Sequence, residues 1–123
     1  MTLSENGLSI LEDAMVQLGL VDKRPEALRI AFAKGLREVN GLPEQKQRKP
    51  SKFVIPSGVI ARGNEYLLFK HLIINKVGKQ LEDKEVDHFM LLYIEEGLEI
   101  MRMEMDQLTN LDNYLLVLTE KAK

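Results

Sequence analysis

Residues 83–105, with the sequence DKEVDHFMLLYIEEGLEIMRMEM, decide the fold because they carry the longest helical pattern in the chain. Asp83 fits the N-cap of a helix. The apolar face that follows comprises Val86, Phe89, Met90, Tyr93, Ile94, Gly97, Leu98, Ile100, Met101 and Met105. Recurrence at every third or fourth position is typical of a helix with one face in a hydrophobic core. The stretch therefore predicts a long fourth helix.

Three shorter helices are predicted before this one. The first runs from Ser4 to Leu18 and stops at Gly19. The second begins at Pro25, a residue favoured in the first helical turn, and ends at Asn40-Gly41. The third covers about 63–77, and its broad apolar surface predicts burial on two sides. Together these patterns predict an all-α fold, a compact bundle of four to five helices.

Residues 42–58 interrupt the helical pattern with prolines, and their first half is hydrophilic and strongly basic. We expect one long, exposed and mobile basic loop here. Phe53-Val54-Ile55 fits either a short edge strand or a segment pinned onto the core. The extension 106–123 is more apolar than a disordered end needs, and predicts a last short helix or an interface segment.

Length and composition indicate one soluble domain. The chain has 123 residues, of which 45% are hydrophobic and 29% are charged, and it has no cysteine. A chain without cysteine has no disulfide and no thiolate nucleophile, which favours the cytoplasm. Its apolar runs are shorter than the ~18 residues that cross a bilayer, and its first residues do not resemble a secretory signal. We therefore expect a cytoplasmic protein without a membrane segment.

Charge is separated along the sequence although the net charge is only −2. Residues 23–84 carry fourteen Lys or Arg against six acidic residues, a balance of +8. The flanking segments 1–22 and 85–123 contribute −4 and −6. Such a middle predicts a basic face that would attract a polyanion, nucleic acid first, although charge blocks of this kind are also found as ordinary solvated surface.

The basic loop supplies most of the candidate phosphate-binding residues. These are Lys46, Arg48, Lys49, Lys52, Arg62, Lys70 and Lys76. Cations of this kind contact phosphates without reading the base sequence. The basic half of the loop holds no aromatic residue on which a base could stack, so duplex DNA is the preferred partner over single-stranded DNA.

Signals for catalysis are weak throughout the sequence. No phosphate-binding glycine loop, dinucleotide fingerprint or nucleophile elbow is present. Glu85 and His88 have a metal-ligand spacing, but one such pair is weak, and His71 lacks a glutamate three residues before it. The three residues Glu95, Glu96 and Glu99 fit a solvated acidic surface better than a catalytic cluster. We expect a protein that is not an enzyme and has no metal or cofactor.

The order of parts resembles the DndE family of bacterial DNA phosphorothioation systems over roughly residues 3–101. The stretches that carry the likeness are Leu3-Ser4 with Leu18-Gly19-Leu20, Ala27-Leu28-Arg29-Ile30-Ala31-Phe32-Ala33, Gly63-Asn64-Glu65-Tyr66-Leu67-Leu68-Phe69, and Leu81-Glu82-Asp83-Lys84-Glu85 with Glu96-Gly97-Leu98-Glu99-Ile100. The chain departs from the family at Asn64, which separates Gly63 from Glu65, and at Glu96, where the family often has a basic residue.

The resemblance implies a small helical, non-enzymatic member of a complex that replaces a phosphate oxygen of DNA with sulfur. The chemistry would belong to DndC- and DndD-like partners. The resemblance also implies a homo-oligomer, with a tetramer favoured, that binds nicked duplex DNA through surface lysines. Of these roles, only phosphate contact can be placed on this sequence, at the cations named above.

Two other functions remain open. Two successive amphipathic helices and a short strand would fit a ribbon-helix-helix DNA-binding regulator. Against this, Met1-Thr2-Leu3 offers too few residues for a base-reading strand. The other alternative is a protein-binding adaptor without DNA affinity, whose acidic fourth helix meets a basic partner.

Overall fold

The chain folds around its longest helix. The computed structural model describes residues 1–43, 45–56 and 58–121. In chain order, the elements are β1 (Thr2–Ser4), α1 (Glu5–Leu18), α2 (Arg24–Glu38), β2 (Pro50–Val54), α3 (Asn64–Val77) and α4 (Asp83–Lys121). Helices α1, α2 and α3 all contact α4, and α2 has the most extensive contact. Over the described residues the fold is mostly helical, as predicted, with one small sheet.

Helices α2 and α4 approach each other until their backbones touch. A Cβ added to Gly97 would overlap the carbonyl oxygen of Ala31, and one added to Gly35 would overlap the carbonyl oxygen of Tyr93. Glycine inside a helix costs about 1 kcal/mol relative to alanine. The close contact is the structural reason for both glycines, because no larger residue fits between the two helices.

Aromatic rings join α2, α3 and α4 in the core. The rings of Phe32 and Phe69 stack with their centroids 4.8 Å apart, and Phe32 meets the edge of Tyr93 at 6.4 Å. Tyr93 is completely buried, and its hydroxyl donates a hydrogen bond to the carbonyl of Gly41 over 3.0 Å. A polar group that is buried in this way keeps a partner, as expected for a tyrosine in a core.

Most of the helix ends lie close to their predicted positions. Ser4 is the N-cap of α1, and Gly19 follows its last residue in the left-handed conformation, with φ of 69°. Pro25 lies in the first turn of α2. Helix α2 ends at Glu38, shortly before the predicted Asn40-Gly41. Asp83 is the first residue of α4 and not its N-cap, so this helix begins one residue earlier than predicted.

The small sheet corrects the predicted bounds of the edge strand and the predicted extent of the loop. Strands β1 and β2 pair antiparallel, with Thr2 opposite Val54 and Ser4 opposite Pro50. The edge strand therefore covers Pro50–Val54, not the predicted residues 53–55. Because five residues of the predicted loop 42–58 are held in a sheet, the segment is not a loop throughout.

Helix α4 continues through the segment that was predicted as a separate last helix or interface segment. Residues 106–121 belong to the same 39-residue helix.

Helix α3 buries only Ile73 completely, while Leu67, Leu68 and Leu72 are exposed. The predicted burial of α3 on two sides is therefore not achieved within one chain. No helix in the described residues is both long and apolar enough to cross a membrane.

Candidate nucleic-acid interface

A buried carboxylate on α4 holds the start of the chain in place. Only 4% of Glu95 is exposed. Its two oxygens accept hydrogen bonds from the backbone N–H of Ser4 over 2.8 Å and from the Ser4 hydroxyl over 2.7 Å. Gly7 leaves space for this carboxylate, because a Cβ there would lie 2.7 Å from Glu95 Oε2. The interpretation of Glu95 as solvated surface was wrong.

The same group of carboxylates neutralises cations of the predicted loop. The Arg48 side chain is 15% exposed, and its guanidinium lies 3.7 Å from Glu95, 3.2 Å from Glu96 and 3.4 Å from Glu99. Lys46 Nζ lies 3.3 Å from Glu99 Oε2. Arg48 was predicted to be an exposed phosphate ligand, but it is covered and paired. The cluster instead fastens the segment before β2 onto α4.

Two lysines of the predicted site do face solvent beside the sheet. Lys52 is exposed and lies between exposed Pro50 and Val54 on the outer side of β2, where exposure alternates along the strand. The Lys49 side chain is 80% exposed, and its Nζ lies 3.7 Å from Glu5. We call Lys49 and Lys52 the ribbon surface. Residues 45–56 contain no carboxylate, so this segment itself contributes only positive charge to the ribbon surface.

The other three predicted residues lie elsewhere. Arg62 is exposed before α3, and its Nε donates to the carbonyl of Gly58 over 2.8 Å. Lys70 pairs with Asp83 over 3.0 Å, and Lys76 is half-buried in the last turn of α3. Arg62 and Lys70 line one groove, whereas Lys46 and Arg48 line a different pocket. The structure therefore does not gather the seven predicted cations into one site.

The groove beside α3 contains charges of both signs. It has a volume of about 700 Å³ and is lined by Arg62, Tyr66, Lys70, Asp83 and Asp87, among others. The Tyr66 hydroxyl donates to Asp87 over 3.4 Å. Burial, followed by the charges of Asp87 and Asp83, raises the pKa of Tyr66 to about 12. The groove is therefore a poor phosphate site, and its tyrosine stays protonated at neutral pH.

The raised pKa values of Tyr66 and Tyr93 predict that the folded chain loses stability at alkaline pH. Burial also raises the pKa of Tyr93, so both hydroxyls hold their protons more tightly in the folded chain than in the unfolded chain, where a tyrosine has a pKa of about 10. The contribution of the two protonated hydroxyls to the free energy of unfolding is complete below about pH 10, and it is lost as the pH rises towards 12. We expect the urea midpoint to fall over this interval, and to fall less in Tyr66→Phe. Equal falls in the two proteins would contradict the role of Tyr66.

Opposite charges that are separated along the sequence meet in the fold. Lys34 of the basic middle pairs with Glu104 of α4 over 2.9 Å, in addition to the pairs of Lys46 and Arg48 with the same helix. The predicted basic face is thus reduced to patches such as the ribbon surface. Among the described residues, no three His, Asp or Glu side chains are grouped so that they could hold a metal ion.

Comparison with protein-family models, with curated proteins and with solved structures finds no match.

Proposed function

We propose that the chain is a non-enzymatic DNA-binding and scaffold subunit of a bacterial DNA phosphorothioation system. It binds duplex DNA, nicked duplex in particular, while DndC- and DndD-like partners carry out the sulfur chemistry. The resemblance of residues 3–101 to the DndE family supports the setting. The observation that carries the DNA contact is the ribbon surface, where Lys49 and Lys52 are exposed on a segment without any carboxylate.

The contact is made to phosphates and not to bases. Lysine is a flexible point charge that binds phosphate oxygens without distinguishing sequences. Lys52 adds to this surface, since no carboxylate of the described residues lies within ion-pair distance of it. Arg48 is not part of the proposed surface, because three glutamates already surround its guanidinium.

Assembly of several copies would strengthen so small a surface. Two lysines per chain give a weak contact, whereas linked copies raise the overall affinity without any new contact. The exposed leucines Leu67, Leu68 and Leu72 on α3 support a homo-oligomer. The tetramer is the oligomer that the DndE resemblance favours.

Titration of the protein against intact, nicked and single-stranded DNA of one sequence, at several salt concentrations, tests the proposal. We expect the tightest binding to nicked duplex and a steep loss of affinity with salt, because phosphate contacts release counterions. The absence of binding to any of the three DNAs at low salt would contradict the proposed function.

The double variant Lys49→Ala/Lys52→Ala tests the ribbon surface directly. Each lost phosphate contact flattens the slope of log affinity against log salt by about 0.9, so the expected change is about 1.8. Lys84→Ala is the matched control, because Lys84 is an exposed lysine in the first turn of α4. A slope that changes equally in both proteins would show that the ribbon surface has no special role.

One observation favours the ribbon-helix-helix alternative and another argues against it. A strand does precede α1 and α2, as the motif requires. However, β1 pairs with β2 of its own chain, and Leu3 and Ser4 are buried. A strong preference for one operator sequence over random duplex would favour this alternative.

The adaptor alternative loses its original basis on α4. The carboxylates of Glu95, Glu96, Glu99 and Glu104 pair with cations of the same chain, which reduces the acidic surface available to a basic partner. An adaptor would have to use exposed apolar side chains instead.

A further inference from the structure

The carboxyl-terminal part of α4 extends beyond the body of the fold. A helix of 39 residues is about 58 Å long. A compact chain of this size has a radius of gyration of only about 14 Å. Glu104 pairs with Lys34 of α2 and Met105 packs against the core, but every side chain from 106 to 111 is exposed. We call residues 106–121 the α4 extension.

The α4 extension carries a regular row of leucines. Leu108, Leu111, Leu115 and Leu118 are separated by three, four and three residues, and all four are exposed. This is the spacing of the a and d positions of a heptad repeat. Met101, one heptad before Leu108, is buried in the core of the same chain. The face that packs in the core at one end of α4 thus continues into solvent at the other.

We propose that the α4 extension forms a coiled coil with the α4 extension of a second copy of this chain. A leucine row with a and d spacing fits a copy of itself about a two-fold axis, so one surface supplies both sides of the contact. An isolated helix of about this length is marginal in water. A second helix laid along the row covers the leucines and stabilises both segments.

The charge pattern favours a second copy over a strongly charged partner. Between residues 107 and 119, Asp112 is the one charged residue in the sequence. Two identical helices therefore meet without opposing rows of like charge along the seam. A partner chosen by its charge would find few complementary groups on this segment.

This inference goes beyond the proposed function and does not depend on it. The α4 extension lies outside residues 3–101, which carry the DndE resemblance, and the coiled coil requires no DNA. Loss of DNA binding and loss of this contact are therefore separate results that separate measurements reveal.

The molar mass of the full chain in solution, measured by light scattering after size-exclusion chromatography, tests the coiled coil. We expect an oligomer whose mass falls twofold in Leu111→Glu/Leu118→Glu, because charges at two d positions oppose each other in the seam. Leu116→Glu is the matched control: Leu116 is 61% exposed on the same helix, but it lies at a b position outside the row. The control is expected to keep the wild-type mass.

Three outcomes would overturn the proposal. The first is a monomeric wild-type chain, in which case the leucines would bind a different protein. The second is an unchanged mass in the double variant. The third is a twofold fall in mass in Leu116→Glu as well. Thermal unfolding followed by circular dichroism is the check on folding. We expect each variant to keep its folded body, because the substituted side chains are exposed in the single chain.

Discussion

Replacing Gly97 with alanine is expected to destabilise the chain by at least about 3 kcal/mol, the upper range for overpacking a core. The added methyl group would overlap the carbonyl oxygen of Ala31. That oxygen belongs to the backbone of α2, so it cannot rotate away as a flexible side chain would. The two helices would have to separate along their most extensive contact.

The direction of the change is itself the test. Helix propensity alone predicts that glycine to alanine stabilises a helix by about 1 kcal/mol, whereas the contact predicts a large loss. Urea unfolding measures the difference. Gly35→Ala should shift the midpoint in the same direction, because its methyl group would overlap the carbonyl oxygen of Tyr93.

The variant Ala33→Gly measures how much helix propensity alone changes the stability of α2. Ala33 is exposed on the same helix, so its change should cost about 1 kcal/mol without any packing effect. A Gly97→Ala protein that is as stable as the wild type would mean that α2 and α4 are not in backbone contact.

The second large effect is expected for Glu95→Ala, which should lower the free energy of unfolding by about 3–5 kcal/mol. The substitution leaves the backbone N–H and the hydroxyl of Ser4 without their acceptor. It also removes one of three carboxylates from the covered guanidinium of Arg48. A buried polar group that loses its partner keeps its desolvation cost.

Glu104→Ala is the control for the Glu95 experiment. Glu104 pairs with Lys34 over 2.9 Å, but the two side chains remain 48% and 35% exposed, and exposed pairs contribute about 0–1 kcal/mol. Denaturant unfolding should therefore separate the two variants clearly. Hydrogen exchange at the Ser4 amide should also accelerate in Glu95→Ala alone. Equal losses in the two variants would contradict the structural role of Glu95.

The helices were predictable because their signals are local. Pro25 in a first turn and Gly19 after a last turn each act within a few residues of their own position. Apolar periodicity then identified the face of α4 that lies in the core. None of these signals requires knowledge of a distant part of the chain.

The sheet was not predictable by the same means. A strand of three residues is too short for an alternating pattern, and Thr2 pairs with Val54, far along the sequence. Such pairing depends on where the helices place the two segments. The proline-rich segment therefore suggested a loop, although its residues Pro50–Val54 form a strand.

Burial of Glu95 left a signal that could have been used. Leu91, Leu92 and Leu98 lie three or four residues from it along the helix, so the carboxylate shares a largely apolar face. A carboxylate in such a place needs partners. The sequence did not reveal that these partners are Ser4 and Arg48, and for the same reason the charge blocks were interpreted as separate surfaces.

The bond between Ser4 and Glu95 also constrains the order of events during synthesis. Its partners are 91 residues apart, and a ribosome that adds about 5–20 residues per second needs about 5–18 seconds to make that length. The amide of Ser4 cannot reach this acceptor until Glu95 has been added and has left the ribosome. The bond that holds Ser4 against α4 therefore forms late in synthesis, well after β2, the partner of β1 in the sheet, has been translated.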